Sequence, residues 1–286
     1  MLALVLALSS SLCWGCSDFI GGVQARRAPL LRVMLVSQSV GLVGLCGLIA
    51  ARGVGPPGLA VLAPAAGAGV AGIVALTAFY RALAIGTMSI VAPISATGVA
   101  VPVIVGIAGG ERPAALQLVG ILTALAGVVL VSREPAADGG DAGAVRASVA
   151  LALVAALGFG SFFVGLRISA RTDVLWALFA SRAAGIVVLV VVAAAGLRHA
   201  RSPANRAGGP RALLALLAIG VLDLSANGLY ALASRHGLLS VVAVAASLYP
   251  LATVLLARVL LGERVRRVQE LGIAAALAGV VLIAAG

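Results

Sequence analysis

Uninterrupted apolar runs follow one another along this chain, separated by short breaks rich in arginine, glycine and proline. The runs cover residues 1–23, 33–51, 59–85, 89–109, 114–132, 147–166, 174–197, 213–234, 239–261 and 268–285. Each approaches the ~20 apolar residues that a helix needs to cross a bilayer. Barrel strands would alternate lipid-facing and lumen-facing residues, and no such alternation is present. The pattern therefore predicts an all-α membrane protein of about ten transmembrane helices. No basic residue precedes the first run, so it reads as a retained helix and not as a secretory leader.

The pattern is also written twice. T-A-F-Y-R-A-L at Thr77–Leu83, S-I-V-A-P-I-S at Ser89–Ser95, G-E-R at Gly110–Arg112 and L-Q-L-V-G-I at Leu116–Ile121 form the first copy. Asn227–Ala233, Ser240–Ser247, Gly262–Arg264 and Val268–Ile273 form the second. Glu111 and Glu263, Gln117 and Gln269, and Gly127 and Gly279 each stand 152 residues apart. So constant an offset marks an internal duplication. It divides the chain into a first repeat at 1–132, a hydrophilic linker at 133–146 and a second repeat at 147–286. Five helices are an odd number of crossings, so the second repeat is expected to enter the membrane inverted. Inverted repeats are an architecture of secondary transporters, with the site near mid-membrane between the halves.

Composition agrees with a bilayer. Hydrophobic residues make up 62% and charged residues 10% of the 286 positions, against roughly a quarter charged in soluble domains. Mean hydropathy is +1.19. The net charge of +11 comes from arginine alone. Apart from Arg182 and Arg258, which lie inside runs, these arginines sit at run ends, and none forms a basic stretch interleaved with aromatics, which excludes a nucleic-acid role.

Trp14-Gly15, Tyr80–Leu83, Ala92–Ser95, Gly110–Arg112, Gly120 to Gly127, Ser247–Pro250 and Gly262–Arg264, in this order, resemble the EamA-type transporters of the drug/metabolite transporter superfamily. The similarity covers nearly the whole chain. It implies a ten-helix permease of the cell membrane that moves small metabolites, often outward, by alternating access. One departure is Phe159 where Trp14 has its counterpart.

Candidate site residues come from polarity inside the runs. Asp223 stands near the centre of 213–234, where an acid costs ~2.5–3.5 kcal/mol to insert. Asn227 and Tyr230 follow on the same helical face. Their repeat counterparts are Ile73, Thr77 and Tyr80, so two stripes are expected to face one central cavity. Arg182 is central in 174–197 and its counterpart is Gln38. The nearest central acid to offset Arg182 is Asp223, and an ion pair between them is expected. Asp18 is the second candidate for coupling transport to protons, and Trp14, Ser95, Ser247 and Tyr249 are candidate cavity walls. Glu111 and Glu263 are read as caps at the membrane surface beside Arg112 and Arg264. Pro93, Pro102 and Pro250 predict kinks in the fourth and ninth helices, and Gly41 and Gly185 predict close helix contacts.

No G-x-S-x-G, P-loop or H-E-x-x-H is present, His199 and His236 fall in loops, and Cys13, Cys16 and Cys46 lie in apolar runs. Neither an enzyme nor a metal or other cofactor is indicated. One acid and one base at mid-membrane suit a zwitterion such as an amino acid, with a cationic drug-like solute or a neutral metabolite as alternatives. A scaffold without transport is the competing class. Two halves in one chain suit a functional monomer. Thirteen arginines flank the odd-numbered connections and five the even ones, which favours termini outside; the resemblance implies termini in the cytoplasm.

Overall fold

The computed structural model describes residues 1–86, 91, 94–131, 142–197, 209–261 and 267–285. Pro93, the linker core, the loop carrying His199 and the second G-E-R motif lie outside the described residues. The described residues form helices and no strand: α1 Leu2–Ala25, α2 Leu30–Arg52, α3 Leu59–Ile85, a 3-10 turn Thr97–Val99, α4 Ala100–Ala108, α5 Ala115–Val131, α6 Ala142–Ala170, α7 Val174–Leu197, α8 Pro210–His236, α9 Leu239–Ala246, α10 Tyr249–Leu261 and α11 Arg267–Ala285.

Prolines and glycines set the ends. Pro29 precedes α2, and Gly53 closes it in the left-handed conformation with φ 66°, which costs least without a Cβ. Pro210 opens α8 at a position whose N–H has no helical acceptor. The expected ninth helix is divided: α9 stops at Ala246, Ser247 and Leu248 turn, and α10 begins at Tyr249-Pro250. Pro250 has no N–H to offer the preceding turn. The corresponding place in the first repeat holds the 3-10 turn, three residues before Pro102.

Six helices, α1, α2, α3, α6, α7 and α8, are long and apolar enough to cross a membrane. The remaining apolar stretches, at Ile94–Ala108, Ala115–Gly127, Leu239–Thr253 and Glu270–Ile283, are shorter. Large apolar side chains such as Leu157, Val187, Val191, Leu214, Leu271 and Val281 lie exposed on the outside, as lipid contact requires.

The strongest packing runs between repeats. α1 lies on α8, α3 on α6, and α5 on α11. Ser10 Oγ donates to Ala226 O at 2.7 Å and Ser17 Oγ to Ile219 O at 3.3 Å, so α1 and α8 run antiparallel. A Cβ on Gly165 would lie 2.7 Å from Pro64 O and one on Gly158 2.8 Å from Ala71 O, giving α3 and α6 the same relation. Gly120 meets the Gly279 carbonyl and Gly127 that of Gly272. Each of these glycines thus faces the repeat counterpart of the other, which is how a two-fold relation appears at its own axis. Small residues let these backbones approach where lipid supplies no hydrophobic drive.

Candidate functional site

A cavity of about 80 Å³ lies between the repeats. It has room for several waters or a small solute at ~10–15 Å³ per water. Its polar wall comes from both repeats: Asp18 on α1, Gln38 on α2, Ser181 and Arg182 on α7, and Asp223 and Asn227 on α8. Trp14, Phe159, Phe162, Phe163 and Tyr249 supply an aromatic wall.

Arg182 is the hub. Its Nη1 donates to Asp223 Oδ2 at 2.7 Å and also to Gln38 Oε1. The expected ion pair is therefore formed, and Arg182 meets its own repeat counterpart across the pseudo-two-fold axis. Gly41 makes room for it, since a Cβ there would stand 3.2 Å from the guanidinium carbon. Gly185, the counterpart of Gly41, lies against the Gly69 carbonyl, and Gly69 backs onto Ser181. Asn227 Nδ2 donates to the Asp223 carbonyl at 2.7 Å, so it braces the helix that carries the acid.

Of the twelve residues singled out in the sequence, seven line this cavity: Trp14, Asp18, Gln38, Arg182, Asp223, Asn227 and Tyr249. Five do not. Tyr230 is fully buried behind the wall, where its hydroxyl donates to Phe163 O at 3.0 Å and its ring packs on Phe163 and Trp14 at 4.7 and 6.0 Å. Tyr80 is buried with its ring end over Gly21, and Thr77 returns its hydroxyl to Ile73 O at 2.7 Å. Ser95 and Ser247 donate to Ala152 O and Val244 O. Tyr230 thus supports the wall from behind through Phe163 and Trp14, while the hydroxyls of Thr77 and Ser247 are spent within their own helices. The third-helix stripe reaches the cavity through Ile73 and Leu76 instead.

The family model for the EamA-like transporter family matches residues 1–133 and again 146–285. The chain belongs to the EamA-like transporter family. That family sits in the drug/metabolite transporter superfamily, and its members are membrane transporters. A solved structure titled only "Crystal structure of protein" superposes on this EamA-like chain with a TM-score of 0.72 at 18% identity, covering 98% of this chain and 95% of the other. Among curated proteins none matches. The structural likeness speaks for the fold.

A second polar cluster of the EamA-like chain lies away from the cavity, at the end carrying the turns 53–58, 109–114, 171–173 and 237–238. Glu111 accepts from the backbone N–H of Leu239 at 2.6 Å and of Ser240 at 3.0 Å, and from Ser240 Oγ at 2.9 Å. Arg167 Nη2 approaches it at 3.2 Å and Arg167 Nη1 donates to Gly237 O at 3.1 Å. Glu111 is thus a helix cap, as its position before a helix indicated. Its partner, however, is Arg167 and not Arg112, and the helix it caps is α9 of the other repeat. A carboxylate belongs at a helix N-terminus, where N–H groups lack acceptors. Nearby, Arg52 pairs with Asp173 at 2.7 Å, again across repeats. The sequence carried a local signal for the aromatic wall, since Phe159, Phe162 and Phe163 share a helical face; it carried none for Arg167, which resembled any interfacial arginine.

Proposed function

We propose that this EamA-like protein is a secondary transporter of the cell membrane that exports amino-acid-like or drug-like small solutes by alternating access. The observation that carries the reading is the Arg182–Asp223 pair, buried in a cavity that both repeats line. Charges at membrane depth are expensive, and they are found where a solute or ion passes. Ten crossings in two inverted five-helix repeats are supported by the antiparallel pairing of α1 with α8, α3 with α6, and α5 with α11. In an inverted pair, exchanging the conformations of the two repeats converts access from one side into access from the other. The Glu111–Arg167 seam ties the repeats together at one end and is the contact that must open when that face does. Protons are the proposed coupling ion, and one chain is the proposed transport unit.

Purified protein in liposomes, screened with labelled amino acids and amines with and without a proton gradient, tests this. Flux of unmodified solute that responds to the gradient is the expected result, and Asp223→Asn abolishes it. A chemically altered product would assign an enzyme, and no flux for any solute would leave a scaffold.

A further inference from the structure

In the inverted arrangement proposed above, the pseudo-two-fold axis lies in the membrane plane, so turning the molecule over only exchanges the places of the two repeats. Both orientations keep the same cavity and the same helix contacts. What tells them apart is basic charge at the two ends. Helix pairing fixes which residues share an end. α1, α3 and α5 start at the end with the turns 53–58, 109–114, 171–173 and 237–238, and their antiparallel partners α8, α6 and α11 start at the other. The first end carries Arg52, Arg112, Arg167, Arg171 and Arg235, and two of the five are spent. Arg52 pairs with Asp173 and Arg167 with Glu111, which leaves Arg112, Arg171 and Arg235 exposed there. At the other end Arg26, Arg27, Arg81, Arg146, Arg211 and Arg267 all lie exposed. The remaining seven of the thirteen arginines flank the same odd-numbered connections in the sequence. Pairing across the repeats thus widens an imbalance that was already present.

Resting on the inverted-repeat reading, we infer that the thirteen-arginine end is the cytoplasmic face of this protein, seated on the anionic phospholipid headgroups of that leaflet. Basic residues close to a membrane end are retained on the cytoplasmic side, and acidic ones count for little in that choice. The cytoplasmic leaflet is also the negative one, and its surface attracts arginines within a Debye length. Leu2, where α1 starts, and Ala285, where α11 ends, then lie on the outer side. This is the reverse of the orientation that the family resemblance implies. The fold accommodates it because the repeats only trade places. The Glu111–Arg167 and Arg52–Asp173 pairs lie at the outer face, where they tie the two repeats together.

Two measurements on the full-length chain test this. In intact cells a membrane-impermeant maleimide is offered to Gly55→Cys, in the turn after α2, and to Gly209→Cys, just before α8. A Cβ at either glycine meets open space, so both variants are expected to fold. Wild type, whose Cys13, Cys16 and Cys46 lie within apolar helices, is the blank. Gly55→Cys is expected to react in intact cells, and Gly209→Cys only once the membrane is permeabilised. Protection of Gly55→Cys, or labelling of Gly209→Cys in intact cells, overturns the inference. The second measurement compares melting temperatures in nanodiscs of phosphatidylcholine with and without phosphatidylglycerol. The anionic lipid is expected to raise the midpoint, and high salt to abolish the rise. Arg27→Gln, Arg146→Gln and Arg211→Gln together should remove most of the rise, and Arg112→Gln, Arg171→Gln and Arg235→Gln together little of it. Each variant is compared with itself in the two lipids, so a general loss of stability cancels. No rise in wild type, or equal losses from the two triple variants, overturns the seating on anionic headgroups. Neither measurement reads solute flux, so a chain that moves no solute can still show this orientation, and a working transporter can fail it.

Discussion

Asp223 and Arg182 each depend on the other being charged. Removing one strands the other in low dielectric, and breaking such a pair costs ~3–5 kcal/mol, while replacing both is much milder. Asp223→Asn and Arg182→Gln alone should therefore each lower the thermal unfolding midpoint in detergent more than the double variant does. A double variant as unstable as the sum of the two would show that the pair is not the unit. This partnership was legible in the sequence because a charge in the middle of an apolar run has few ways to be satisfied. Asp18 was less legible. The apolar run ends at 23 and left Asp18 near its edge, within apparent reach of water, but α1 continues to Ala25 and the acid is buried at the cavity. Tyr80, Thr77 and Tyr230 went the other way. Helical spacing put them on the correct face, yet a face spans several residues, and only packing decides which of them reach the cavity and which support it from behind.

Helix limits were written in prolines and glycines, which is why Pro29, Gly53 and Pro210 fall where the sequence placed breaks. Division of the ninth run was announced by Pro250, but the loss of a whole turn at Ser247–Leu248 was not, because a proline kink and a proline break begin with the same missing N–H. The break has a consequence for α9. As a helix of its own it needs a cap, and Glu111 of the other repeat supplies it. Glu111→Ala would leave two N–H groups without acceptors and Arg167 without its acid, at ~1–3 kcal/mol for each unsatisfied group. Glu111→Gln keeps one acceptor oxygen, so it satisfies one of the two N–H groups and loses the other acceptor together with the charge. The expected order of melting temperatures is wild type, then Glu111→Gln, then Glu111→Ala. Equal melting temperatures for all three would mean that water caps α9 as well as the carboxylate does.

At the scale of the whole molecule, neither repeat has a core of its own. α1 is buried against α8, α3 against α6, and α5 against α11, so the surface that each half hides belongs to the other. Residues 1–133 and 146–285, produced as two separate chains, are therefore expected to assemble when made together and to be degraded when made alone. Insertion need not fail once the linker is cut, because each half carries its own orientation signal. In the first repeat five arginines, Arg26, Arg27, Arg32, Arg81 and Arg133, flank the odd connections and two, Arg52 and Arg112, the even ones. In the second the odd connections have eight and the even ones three, Arg167, Arg171 and Arg235. The bias points to the same membrane face in both, although the second half starts from the side opposite to the first. Co-purification of an untagged 146–285 chain on a tagged 1–133 chain measures the assembly. Recovery should fall when Gly120→Leu and Gly127→Leu are both present, since these backbones meet those of Gly279 and Gly272 with no room for a Cβ. Two halves that each accumulate alone, folded and resistant to protease, would mean that the duplicated units are independent bundles, and the cavity between them would then be a cleft between domains.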